Sequence, residues 1–273
     1  MTRLSDRHRR NLASAVKVLV AFLLTLAVAV SAFYLWPQRF MWPDVFGTAV
    51  FCVQTPEKWV ALTFDDGPDP KYTPAIADLL QRYQARATFF VLGRHGEQHP
   101  AILKDLMAAG HELGNHTFNH PNLNFTLPPT IYAEISQADA VLKQVKYPDP
   151  VYFRPPYGRS GLTVTSTVKP LGRTLILWDI DLMDWASPPV ATMTTTLEQQ
   201  LKPGAIVLLH DGSAGADVTN PKATDSRQNT VDAVENILAT YTAQGYRFVT
   251  VSELLGAGEA LPSLPQCQKR PPA

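Results

Sequence analysis

The chain lacks net charge: 24 Lys and Arg balance 24 Asp and Glu. Beyond the extreme N-terminus it also lacks a basic cluster, so nothing points to a nucleic-acid partner. No internal repeat is visible. Cysteine is scarce, with only Cys52 and Cys267 among 273 residues, so one bridge is the most the chain can form. In an oxidising compartment the two would pair and tie the ends of a domain together, whereas a cytoplasmic domain would keep two thiols. The pair is read as a disulfide. Hydrophobic residues make up 45% of the chain, which is ample for one sizeable core and short of two.

What is present is uneven. Arg3, Arg7, Arg9, Arg10 and Lys17 precede VLVAFLLTLAVAVSAFYLW, residues 18–36, which carries no charge. As a helix it would span ~28 Å, about one bilayer core. Basic residues before it favour an N-in orientation and place the rest outside the cytoplasm, with Tyr34, Trp36, Phe40 and Trp42 at the outer interface. The expectation is a basic cytoplasmic segment (1–17), a single-pass anchor in the cell membrane (18–36), a linker (37–56), an extracytoplasmic domain (57–256) and a Pro-rich tail (257–273). The rival reading is a signal peptide cleaved after Val30–Ala32, giving a secreted protein.

From Lys58 to Leu255 strand-like and helix-like segments alternate. WVALTF (59–64), ATFFVLG (87–93), HELGNH (111–116), VYFRPP (151–156), RTLILWDID (173–181), GAIVLLHD (204–211) and YRFVTV (246–251) read as extended. Helices are expected at 73–83 with Thr73 as N-cap and Pro74 at the first helical position, at 100–110 closed by Gly110, over much of 129–145, within 188–202, and at 230–245. Thr250 and Glu253 form a capping-box pattern before a last short helix. Repeated βα units of this length predict parallel strands with helices outside, about seven strands in an α/β barrel or an open doubly wound sheet. In either case chemistry gathers at the C-terminal ends of the strands.

Polar residues fall at those ends. Asp65 and Asp66 follow the first strand, and His116 and His120 follow HELGN. Arg154 follows VYF, Asp181 and Asp184 follow LILWDI, and His210 and Asp211 close AIVLL. The pair in HTFNH is a weak metal signal alone, but one aspartate of DDGP supplies a third ligand. An Asp-His-His set leaves a coordination position open for water, as catalytic sites do. The other aspartate then serves as proton acceptor. A turn with both side chains on backbone N–H groups explains one aspartate well and two poorly. Arg154 in RPPYG can keep that acceptor ionised and oriented, and Tyr157 can present its N–H to a developing oxyanion. His210 has the titration range for a proton donor, with Asp184 beside it. Trp185 and Leu208 could wall a small apolar pocket or be ordinary core. His95, His99 and His111 are read as surface or structural.

TFDDGP, HTFNH, RPPYG, DLMDW and LLHDG, in that order, closely resemble the five motifs of the polysaccharide deacetylase family, also called NodB-homology or carbohydrate esterase family 4. The likeness spans roughly Trp59 to Leu255. It implies a distorted (β/α)7 barrel and a divalent metal, usually zinc, with cobalt possible. By this resemblance Asp65 is the base, oriented by Arg154. Asp66, His116 and His120 bind the metal, Tyr157 is the oxyanion donor, His210 is the acid tuned by Asp184, and Trp185 and Leu208 receive the acetyl methyl. One departure is Leu182, where the fourth motif often has Ser or Thr. The polar loop 212–229 is read as a rim that grades substrates or a solvated connector.

The expected activity is metal-dependent hydrolysis of N-acetyl groups from an N-acetylglucosamine polymer, peptidoglycan before chitin, releasing acetate. The rivals are O-acetyl esterase action on xylan, a non-catalytic sugar-binding domain on the same fold, and a hydrolase of small amides.

Overall fold

The computed structural model describes residues 14–26, 49–124, 126–148, 150–215 and 226–269. Its contacts divide the chain into residues 1–41 and 42–273. In the first unit, residues 14–26 form an exposed helix, α1. Among the described residues no helix is long and apolar enough to cross a membrane. Residues 27–36 of the expected span lie outside the described ones.

The second unit runs through β1 (Ala49–Val50), β2 (Cys52–Gln54), β3 (Trp59–Asp65), α2 (Tyr72–Arg82), β4 (Thr88–Val91), α3 (Gly93–Gln98) and α4 (Pro100–Ala108). It continues with β5 (Glu112–Asn115), α5 (Pro128–Gln144), β6 (Tyr152–Phe153), α6 (Leu162–Val168), β7 (Thr174–Ile176), β8 (Ile180–Asp181) and α7 (Val190–Gln200). The remainder is β9 (Ala205–His210), α8 (Gln228–Ala243), β10 (Arg247–Phe248), α9 (Val251–Gly256), β11 (Glu259–Leu261) and α10 (Leu264–Gln268).

The strands lie in the order β1-β7-β6-β5-β4-β3-β9-β2-β11, with β10 on β3 and β8 on β9. Every pairing from β7 round to β9 is parallel. The run expected as one strand over 173–181 is two. Its first half pairs with β6 and its second with β9. At the end of β7 the Ile176 and Leu177 carbonyls accept from the Arg154 guanidinium. This bent segment carries the chain round from β6 to β9 and gives the expected barrel its distorted form.

The period of two in β3 and β9 divides the protein into two layers. Val60, Leu62 and Phe64, with Ala205, Val207 and Leu209, join the core under the helices. Ala61 and Ile206 join the smaller inner cluster. Thr63, Asp65, Leu208 and His210 share that inner parity and sit toward the C-terminal ends, with Asp65 opposite His210 in register. Polar chemistry is thus brought to the barrel mouth by the same alternation that builds the core.

Several expectations are corrected. The linker does not reach residue 56, because β1 and β2 are strands of the sheet and Cys52 and Val53 are wholly buried. Nor is the tail loose: β11 pairs with β2, and α10 carries Cys267 into a disulfide with Cys52. Thr73 is not an N-cap. Helix α2 begins at Tyr72, Asp69 Oδ1 accepts from the Lys71 and Tyr72 N–H groups, and Thr73 Oγ1 turns inward to Asp211. Helix α3 was not anticipated, since GRHGEQ has no apolar period. The capping box of Thr250 and Glu253 is present as expected.

Candidate active site

The first motif places two carboxylates by different means. Asp65 ends β3, and its Oδ1 accepts from Arg154 Nη1 at 2.8 Å. Arg154 is wholly buried and also donates to Thr63 Oγ1 and to the Ile176 and Leu177 carbonyls. Phe90 lies under its guanidinium at 4.1 Å. A charge so enclosed and so fully bonded cannot rotate away, so it fixes Asp65 in one pose. Asp65 Oδ2 is left facing His116 Nε2 at 3.7 Å.

Asp66 leaves the strand in left-handed backbone, φ 72°. Gly67 follows because a Cβ there would collide with the Asp211 carboxyl. The turn aims Asp66 Oδ1 at His116 Nε2 (3.6 Å) and His120 Nε2 (3.5 Å). This oxygen is buried and has no hydrogen-bond partner. Burial alone would raise its pKa, but His120, His210, His116 and Arg227 outweigh that and hold Asp66 at about 2.

The HTFNH loop is left-handed twice, at Thr117 (φ 72°) and His120 (φ 64°). It is gripped from both sides. Glu134 on α5 accepts from the Phe118 and Asn119 N–H groups at 3.0 and 2.8 Å. Gly93 and Arg94, opening α3, donate to the Thr117 and Phe118 carbonyls. Asn115 accepts from the Thr117 N–H and donates to Asp139, which is paired with Arg173. His116 Nδ1 meets the Arg154 carbonyl at 2.7 Å. A carbonyl only accepts, so Nδ1 carries a proton, and this bond turns Nε2 toward Asp66. Burial pushes His120 down to about 4, so it is neutral at pH 7.

Asp66, His116 and His120 fit a metal ion. Their ligand atoms lie within 4.8 Å of one another. Donors ~2.0–2.1 Å from one zinc in a tetrahedral site stand ~3.4 Å apart, close to the separations above. The unpartnered, buried Oδ1 is the observation that a cation would satisfy.

The opposite wall carries a proton donor. His210 ends β9, and its Nδ1 is 2.8 Å from Asp184 Oδ1, while Asp184 Oδ2 accepts from the His210 N–H and Thr230 Oγ1, both at 2.8 Å. Burial works against the imidazolium, but Asp184 and the more distant Asp66 and Asp65 prevail and raise His210 to about 9. His210 is therefore charged at neutral pH. Asp184 sits in a short turn entered through Met183 in left-handed backbone. Leu182 is buried in the core under the helices, and the Met183 N–H bonds instead to Asp181.

Tyr157, in the turn after β6, is left-handed (φ 58°), and its ring stands 4.6 Å from that of His120. Leu208 is buried on the same side of β9 as His210, and Trp185 is half-buried beside Asp184. The structure thus brings Asp65, Asp66, His116, His120, Arg154, Tyr157, Asp184 and His210 to one end of the barrel. Of the loop 212–229, residues 216–225 lie outside the described ones.

Sequence reasoning missed the groups that hold this site. Glu134, Thr63 and Thr230 act through positions distant in sequence, and Asn115 holds the Thr117 N–H while bonding to Asp139. His95 was read as structural or surface, yet its Nδ1 lies 2.7 Å from the Asp66 carbonyl. His111 is structural as read: it is buried, edge-on to Phe89, and burial lowers it to about 4.

The sequence profile of the polysaccharide deacetylases matches residues 53–176. A peptidoglycan-N-acetylglucosamine deacetylase of Bacillus cereus is 41% identical, over 77% of this chain and 93% of its own length. A chitooligosaccharide deacetylase of Azorhizobium caulinodans is 32% identical over 74% of this chain and 97% of its own. Among solved structures, a peptidoglycan N-acetylglucosamine deacetylase in complex with an N-oxidanyl-benzamide superposes with a TM-score of 0.69 and 30% identity, covering 78% of this chain and 95% of that one.

Proposed function

This chain belongs to the polysaccharide deacetylase family, and on that premise we propose that it removes acetyl groups from the N-acetylglucosamine residues of peptidoglycan. It is a polysaccharide N-deacetylase, a hydrolase, and its relatives act on N-acetylglucosamine polymers. The choice of peptidoglycan rests on the higher identity to the Bacillus cereus enzyme. The observation that carries the reading is the Asp65–His210 pair: two proton-transfer groups in register on adjacent strands, beside three ligand atoms that converge.

Asp66, His116 and His120 would hold the cation, zinc most simply and cobalt alternatively. When bound, it supplies a Lewis acid to the attacking water and to the acetyl carbonyl. Asp65, held in one pose by Arg154 through Oδ1, takes the proton of the attacking water on Oδ2. The Tyr157 N–H donates to the carbonyl oxygen as negative charge develops there. His210 gives its proton to the amide nitrogen, and the amine departs as acetate forms. Leu208 and Trp185 shape the space for the methyl group.

The chain is further proposed to work outside the cytoplasm. The Cys52–Cys267 disulfide persists in oxidising compartments, and the basic segment before the apolar run supports export. N-terminal sequencing of the exported protein distinguishes retention through residues 18–36 from cleavage near Ala32. An intact N-terminus in the cytosolic fraction would end the proposal.

The test of the activity is acetate release by the full chain with Zn²⁺ or Co²⁺ on peptidoglycan, chitin oligomers and acetylated xylan, beside Asp65→Asn. Loss of the base should cost ~10²–10⁴-fold in kcat and leave metal binding in place. Release from peptidoglycan that Asp65→Asn abolishes supports the reading. Release only from xylan moves it to an O-acetyl esterase. No release from any polymer, with metal bound, leaves a sugar-binding domain or a hydrolase of small amides.

A further inference from the structure

We infer that Arg94 and His95 form a clasp that positions the metal ligand Asp66 and joins it to the two other loops of the catalytic centre; the inference rests on the reading of Asp66 as a ligand. His95 Nδ1 stands 2.7 Å from the Asp66 carbonyl oxygen, and Arg94 Nε stands 3.3 Å from His95 Nε2. These two contacts fix each other. Arginine only donates, so Nε2 must accept. A carbonyl only accepts, so Nδ1 must carry the proton. Both bonds exist together only in the neutral Nδ1–H tautomer.

Arg94 then reaches two further loops. Its Nη1 donates to the Asn119 carbonyl at 3.4 Å, one residue before His120, and its Nη2 donates to the Ala214 carbonyl, four residues after His210. One side-chain pair on α3 therefore touches the two loops that carry Asp66 and His120 and the loop that follows His210. The Asp66 peptide needs such a hold. It is left-handed at a non-glycine residue, a conformation that persists only where surroundings over-determine it. Gly212 packs against the same carbonyl so closely that a Cβ there would collide with it, and the next carbonyl, Gly67, accepts from the Leu92 N–H at 3.0 Å. The peptide is thus pressed from the β9 side and pulled from the α3 side. Its orientation decides where the Asp66 carboxylate points, and hence whether Oδ1 meets His116 and His120.

His95 is thus a positioning residue. It touches no reacting atom, and its effect passes through the Asp66 backbone. Glutamine at 95 could donate to the same carbonyl, whereas alanine could not.

The test is Zn²⁺ affinity of the full chain, measured by competition with a chromophoric chelator, on wild type, His95→Ala, His95→Gln and Arg94→Met. Melting of the metal-free forms runs beside it, with kcat and KM on a chitin oligomer. His95→Ala should bind Zn²⁺ ~10–100-fold more weakly, the range for loss of a group that orients a ligand. Its KM at saturating metal should stay within about twofold of wild type. His95→Gln should recover most of the affinity, and Arg94→Met should fall between. Wild-type affinity in His95→Ala overturns the clasp. So does a deficit in His95→Gln equal to that in His95→Ala. If His95→Ala does not fold, unchanged affinity in Arg94→Met overturns it equally. The affinity measurement needs no substrate, so absent acetate release would count against the proposed activity and not against the clasp.

Discussion

The two halves of the catalytic centre are built differently. Asp65 and His210 sit at the ends of β3 and β9, opposite one another in register, each braced by one buried partner, Arg154 or Asp184. Asp66, His116 and His120 sit on loops that turn left-handed at Asp66, Thr117 and His120. Their bracing comes from helices outside the barrel, through Glu134 on α5 and His95 on α3. The proton-transfer half borrows its geometry from the sheet, and the ligand half must be held by hydrogen bonds of its own. Regular backbone positions a side chain at no added cost, whereas left-handed residues without glycine persist only under constraint. The halves should therefore fail in separable ways.

The largest effect short of removing the base itself is expected from Asp184→Asn. Asp184 is the main favourable influence that raises His210 to about 9. With it, kcat/KM should fall as pH rises through about 9, or somewhat below when a bound cation offsets the smaller pull of Asp66 and Asp65. Without it, His210 should move toward its ordinary value near 6.5, and kcat at pH 8 should drop ~10²-fold. Stability follows the same sign. The folded-state pKa lies above the unfolded one, so the pairing contributes fully below pH ~6.5 and is lost as pH climbs through ~9. A pH–rate profile gives the first outcome and melting at pH 6 and pH 9 the second. Metal affinity should hardly change. If it fell as much as kcat, the two halves would not be independent.

How far these halves could be read from the sequence differs in the same way. The strand-borne residues were legible because the β-prone run WVALTF and the near-continuous apolar run AIVLL each end in polar residues, and the order of motifs resembled a known family. Asp66, His116 and His120 were legible as types that bind metal. Their supports were not, since Glu134 and His95 bond to backbone atoms, which leave no pattern in side-chain type. The break in 173–181 was hidden for a related reason: RTLILWDID reads as one β-prone run, and at its split two carbonyls bond to Arg154, which follows β6. The 37–56 linker and loose tail were misread because β1, β2 and β11 are two or three residues long, too short for a period to show.

Glu134→Ala should produce a smaller effect of the opposite kind. It frees the Phe118 and Asn119 N–H groups and loosens the loop between His116 and His120. Zn²⁺ affinity should fall ~10-fold, at the low end for an outer-sphere change, because α3 and Asn115 still grip the loop. At saturating metal, kcat and its pH profile should match wild type within about twofold. A displaced alkaline limb with intact metal affinity would reverse the assignment of Glu134 to the ligand half.

The smallest effect on turnover is expected from breaking the Cys52–Cys267 bridge, which sets the comparison against a region outside both halves. Cys52 pairs with Ala205 at the start of β9, while His210 ends the same strand, ~17 Å away at ~3.3 Å per residue. The bridge closes a loop of 215 residues, for which chain entropy alone gives about 5 kcal/mol, and loss of a native disulfide costs about 2–5 kcal/mol in practice. The double variant Cys52→Ser/Cys267→Ser should melt at clearly lower temperature. Well below that melting point, kcat should match wild type, because β9 is held along its length by β3 and needs no staple at its far end to present His210. A fall in kcat while the variant is fully folded would mean that the position of β9 depends on the β2–α10 edge, and the sheet would then be a less rigid carrier of the proton-transfer half than its parallel ladder implies.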